Sequence, residues 1–170
     1  MAMTIKKGNI LQNINELEML FDNTRDRKRQ FFYAKLVVLE ACGWIEETMD
    51  NMIQDYSIRK LSNSSNQREM QEVINRTFGF DYNTNFRKMV IHTVGLVNVS
   101  KIETILEITG KLSILKTTLG NLKVRRNEFA HTHTKKGAIP VYSHPSIIKN
   151  EINTIFTCLK LYQQELRKIR

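Results

Sequence analysis

Apolar residues recur at intervals of three and four along most of the chain, so it reads as helix throughout. Ile10, Ile14, Leu17 and Leu20/Phe21 predict an amphipathic helix over about 9–23. A longer helix follows from about 27 to 56 or beyond. It has Leu36, Leu39 and Gly43 on one side and Val38, Cys42, Ile45, Met49 and Met52 on another. A helix apolar on two sides sits centrally in a bundle or feeds an oligomer interface. Glu46, Glu47 and Asp50 on it read as a solvated face, with room for a catalytic acid.

The polar run 62–66 breaks the pattern, a short helix continues to 78, and Gly79-Phe80-Asp81-Tyr82-Asn83 turns the chain. Another helix is predicted over about 84–97. Ser100, with Glu103 three residues on, has the spacing of a capping box. Ile102, Ile105, Leu112, Leu115, Leu119 and Leu122 then keep helical spacing despite Gly110 and Gly120. After a loop over 132–144, Pro145 suits a helix's first turn. Ile148, Ile152, Ile155, Leu159, Tyr162, Leu166 and Ile169 form a four-three seam, good for a bundle core or a dimer. Lys168 and Arg170 match the dipole at its end. The expectation is an all-α bundle of five or six helices, with residues 1–170 forming one domain.

Composition narrows the class. Apolar residues make up 41% and charged residues 25%, ordinary for a globular chain. The formal charge of +9 favours polyanionic partners, nucleic acid above all. Cys42 and Cys158 lie in apolar helical contexts without metal-ligand spacing and read as buried, reduced thiols. Polar residues after Lys6-Lys7-Gly8 argue against a signal peptide, and no apolar run of spanning length occurs. A cytoplasmic protein without a membrane span is expected.

One stretch speaks of chemistry: Arg125-Arg126-Asn127-Glu128-Phe129-Ala130-His131-Thr132-His133. It holds two of the chain's four histidines beside fixed cations. Cleavage of RNA by its own 2′-hydroxyl needs a base for that proton and a cation for the crowded phosphate. His131 can exchange protons near neutral pH, and Arg126 can fork onto phosphate oxygens. Asn127 and His131 are four apart and share a helix face. Arg126 lies about 140° around from His131, so a helix end or a second copy of the chain must complete the site. Lys123, Arg125, His133, Lys135 and Lys136 surround the pair as candidate RNA-backbone contacts. His131 and His133 have no third ligand at zinc spacing, and no metal or other cofactor is expected. The same spacing recurs at Arg87 and His92, within Met89-Val90-Ile91; there His92 reads as a core or boundary residue and Arg87 as a surface charge. His144, before Pro145, reads as structural.

Arg-Asn-x-x-Ala-His at the end of a leucine-spaced helix resembles the HEPN superfamily, small all-α domains that often carry an Arg-x(4–6)-His ribonuclease motif. The specific match is Arg126, Asn127, Ala130 and His131. Gly43-Trp44 with Glu46-Glu47 is similar to the RiboL-PSP-type branch. The resemblance implies a metal-independent endoribonuclease for single-stranded RNA, its two motifs facing each other across a homodimer. Arg126 and His131 would be the catalytic pair and Asn127 the supporting polar residue. It also implies a role as a toxin or phage-defence effector, with an inhibitory antitoxin or regulatory protein as partner. Some relatives carry a modifiable Tyr two residues after the His; here that position is His133. The alternative is a non-catalytic HEPN module that binds RNA, a nucleotide or a protein.

Overall fold

The computed structural model describes residues 4–131 and 139–169, and for His131 the backbone alone. Among these residues there are seven α-helices and no strand. They are α1 (Gly8–Asp22), α2 (Arg27–Lys60), α3 (Ser64–Asn75), α4 (Arg87–Val94), α5 (Leu96–Ile108), α6 (Lys111–His131) and α7 (Pro145–Lys168). A π-helical turn, Tyr82–Phe86, leads into α4. The all-α class stands as expected.

The count exceeds five or six because Gly110 cuts what the apolar spacing reads as one helix from about Ser100 to the motif, while Gly95 sets the preceding break a few residues earlier than expected. Gly95 (φ 79°) ends α4, and Gly110 (φ 68°) separates α5 from α6. Both take a backbone conformation that a side chain disfavours. The capping box expected at Ser100 is absent for the same reason. With the break at Gly95, Ser100 lies inside α5, where its carbonyl accepts from Thr104 Oγ1 at 2.9 Å. Caps elsewhere are local: Asp26 accepts from Lys28 N at 2.8 Å ahead of α2, and Asn63 from Ser65 N at 2.8 Å ahead of α3. Pro145 opens α7 behind His144, whose Nδ1 accepts from Ser146 N at 3.2 Å. His144 Nε2 also meets Asp22 Oδ1 at 2.9 Å, tying the start of α7 to the end of α1.

Helix α2 packs against α1, α3, α4, α6 and α7. Val38, Cys42, Ile45, Met49 and Met52 are buried on its inner side, while Phe32, Leu36 and Leu39 stay exposed on the opposite one. The seam of α7 is used up inside the bundle: Ile148, Ile152, Ile155, Leu159, Tyr162 and Leu166 are all buried. Both cysteines are buried free thiols, and burial pushes Cys42 up to about 12. No helix among the described residues is long and apolar enough to cross a membrane.

The second Arg–His pair reverses its expected roles. Arg87 is no surface charge: its Nε and Nη2 donate to Glu103 Oε1 and Oε2 at 2.7 and 3.1 Å, and Tyr82 Oη donates to Oε1 at 2.9 Å. His92 is exposed. Periodicity in a helix as short as α4 does not say which side a neighbouring helix will cover, and α5 covers the Arg87 side. Breaking such a pair on one partner leaves a largely buried charge without its acceptor. Glu103→Ala is therefore expected to cost about 2–3 kcal/mol and to lower the melting temperature by roughly 5–10 °C. A thermal melt followed by circular dichroism checks this, and an unchanged midpoint would refute it.

Candidate active site

In α6, Leu112, Leu115, Leu119, Leu122 and Phe129 are all buried. The intervals are three, four and three, then a gap of seven. Arg126 fills that gap, four residues after Leu122 and three before Phe129, so a guanidinium occupies a core register position. It lies near the end of the bundle and keeps 43% of its side chain exposed. Phe129 closes the core just beyond it, edge-on to Phe31 with ring centroids 5.7 Å apart.

Across from Arg126 stands α2. Arg126 Nη2 lies 4.0 Å from Glu46 Oε1, at the limit of an ion pair and beyond hydrogen-bond reach. That carboxylate oxygen is buried and accepts no hydrogen bond. Asp50, one turn along α2, and Gly79, in the turn ahead of the π-helical segment, complete a cleft of about 240 Å³ around the guanidinium. Burial, then the neighbouring Glu46, pushes the Asp50 carboxyl up to about 6. Glu47, on the same acidic run, is exposed. The run therefore divides, with Glu46 and Asp50 turned to the cleft.

The other candidates are placed differently. Arg125 donates from Nη1 and Nη2 to Glu151 Oε2 and Oε1 at 2.9 and 2.6 Å, joining α6 to α7. Its fork is occupied, and the role of backbone contact expected for it requires displacing Glu151. Lys123 Nζ donates to Asp81 Oδ2 at 3.1 Å. The Thr84 backbone N–H, with Lys123, holds the Asp81 carboxyl down to about 2. Asn127 is exposed, four residues before His131 on α6. The side chain of His131, and His133, Lys135 and Lys136 entirely, lie outside the described residues. Arg126, Glu46 and Asp50 are thus brought together, whereas Arg125 and Lys123 are drawn to structural partners. Among the described residues, no group of three His, Cys, Asp or Glu side chains is arranged to hold a metal ion.

Glu151 and Asp81 carry no local signal, since they meet α6 only through the tertiary fold. Glu46 and Asp50 carry a faint one, being four apart on a helix and hence on one face. Compared with known proteins, the chain matches no family model, no curated sequence and no solved structure.

Asp50 gives the site a pH signature. Its folded value lies above the ordinary carboxyl, so the folded state holds the proton more tightly than the unfolded chain does. The stability it contributes is present below about pH 4 and lost as pH rises through about 6. Asp50→Asn should therefore stabilise the protein at pH 8 by about 1–2 kcal/mol and leave it nearly unchanged at pH 4. Chemical denaturation at the two pH values measures the difference, and equal effects at both would contradict the assignment.

Proposed function

We propose that this chain is a HEPN-type endoribonuclease that cuts single-stranded RNA without a metal. The observation that carries the reading is Arg126. A guanidinium in a core register position, 4.0 Å from its nearest carboxylate, is held in place without being locked by a short bond. It can take up a phosphate oxygen at little cost to the fold. Arg87 and Arg125, in contrast, are already forked onto carboxylates.

In the proposed reaction the RNA 2′-hydroxyl attacks the adjacent phosphorus. His131 takes its proton, Arg126 stabilises the charge gathering on the phosphate, and the bond from phosphorus to the 5′-oxygen breaks, leaving a 2′,3′-cyclic phosphate while the 5′-oxygen takes a proton from water. Asn127 supports the histidine from the same helix face. Arg126 and His131 diverge by about 140° around α6, so the site is completed by a second copy. The exposed Phe32, Leu36 and Leu39 of α2 and Val124 of α6 support such a homodimer, because they supply apolar area on the side away from the core. An enzyme of this kind needs restraint in its host, which fits a toxin or phage-defence effector kept in check by an antitoxin or regulatory protein.

Cleavage of a long single-stranded RNA in EDTA tests the reading. The wild-type chain should cut. His131→Ala should lose about 10²–10⁴ in rate, and Arg126→Ala about 10²–10³. If wild type and His131→Ala cut equally, the assignment is lost. If neither cuts but both bind RNA in a salt-dependent way, the chain is a binding module instead.

A further inference from the structure

Phe78 stands on the rim of the Arg126 cleft with 84% of its surface in solvent. Two residues on, Phe80 is 2% exposed, so one short turn sends one ring into the core and the other outward. The turn is built rather than loose. Asn85 Nδ2 donates to the Phe78 carbonyl at 2.8 Å, Thr77 Oγ1 to the Val73 carbonyl at 2.8 Å, and Gly79 sits at φ 100°. Leaving a phenyl ring in water forgoes the stabilisation that burying it would bring. Here the built turn instead holds it on the rim of the cleft that Arg126 lines.

Its surroundings indicate what would cover it. Asn75, Thr77, Glu46, Asp50 and Arg126 share the cleft with it and Ile74 is the one other large apolar residue there, so the ring has mainly polar and charged neighbours. A protein hot spot favours an apolar pocket in which to seat such a ring. Arg126 shares the cleft with the ring, and Lys123, further along α6, would reach a phosphate only by leaving Asp81. An exposed aromatic ring beside a cation is the arrangement that binds single-stranded nucleic acid, the ring stacking on a base while the cation meets the phosphate. The cleft of about 240 Å³ is smaller than the roughly 300–1,000 Å³ of drug-sized sites, in proportion to a single base.

We propose that Phe78 is a stacking platform for one unpaired nucleobase, beside the phosphate held by Arg126. The substrate at that nucleotide is then single-stranded, because a base still paired in a duplex cannot be splayed onto the ring. Glu46 and Asp50 accept hydrogen bonds when ionised; adenine, cytosine and guanine offer an exocyclic amino group there and uracil only its ring N3–H, so amino-bearing bases are favoured. The proposal rests on the ribonuclease reading of Arg126.

The test compares wild type with Phe78→Ala, Phe78→Leu and Phe78→Trp, all of which should fold because the ring is exposed. Affinity for short labelled single strands, with uracil or an amino-bearing base throughout, is measured alongside cleavage and sedimentation. Phe78→Ala and Phe78→Leu should both weaken single-strand binding by about 5- to 150-fold, while Phe78→Trp keeps it. Wild type should prefer amino-bearing strands. If RNA is cut and Phe78→Ala or Phe78→Leu binds like wild type, the platform falls and the ribonuclease reading stands. The platform falls likewise if Phe78→Ala changes sedimentation but not RNA affinity, for the ring is then a protein contact. If wild type neither binds nor cuts RNA, both fall.

Discussion

Burial of one side of α2 along its 34 residues is the constraint to which the other elements answer. Five of the six other helices pack on it. Asp26 caps its start, and Arg59 and Lys60 sit in its last turn, complementing the helix dipole. Between those ends it runs as one helix, so the positions of Glu46 and Asp50 follow from those of Cys42, Ile45 and Met49 by helical geometry alone. The carboxylates of the candidate site are thus set by the packing of the core. Moving the backbone of Glu46 relative to that of Arg126 requires moving helices that bury much of the chain's apolar surface.

The arginines show how that frame treats charge. Arg87 and Arg125 each make a two-pronged contact with a carboxylate, with bonds between 2.6 and 3.1 Å. Desolvation of a guanidinium and a carboxylate is largely offset only when the geometry is this close. Arg126 faces the same demand and is left at 4.0 Å from Glu46, whose buried oxygen goes without a donor. Arg167 also lies 4.0 Å from a carboxylate, that of Asp55, and Ser57 Oγ too is buried without a hydrogen bond; what sets the Arg126–Glu46 pair apart is its place on a cleft open to solvent. The relaxed pair belongs to the same arginine that stands out in the sequence on a different ground, its spacing to His131.

The sequence disclosed the helices that periodicity and caps define together. Helices α1, α2 and α7 lie close to their expected bounds because their apolar stripes are long and, for α7, Pro145 marks the first turn. The break at Gly110 was hidden because the leucine and isoleucine spacing carries on across it, and a glycine in a helical pattern does not announce its sign of φ; the break at Gly95 was read a few residues late, at Ser100. Arg126 in the core register was legible in principle: the three-four count through Leu122 runs straight onto it. What the count could not supply was the partner. Glu46, Asp50, Asp81 and Glu151 reach α6 from distant segments, and no local pattern encodes that meeting.

A helix that buries Arg126 toward α2 turns Val124 and Asn127 away from the core. The two halves of the motif therefore have different environments by construction. In the proposed ribonuclease, Arg126 would be the phosphate-binding half, pre-organised by the fold of a single chain. Asn127, four residues before His131 on α6, is exposed on an outer face. In that proposed ribonuclease, access to this outer face would decide when the enzyme acts. A second copy laid on that face would complete the site, and an inhibitor laid on it would close the site without disturbing Arg126. Restraint of the enzyme would then need no change in the bundle, only competition for one surface.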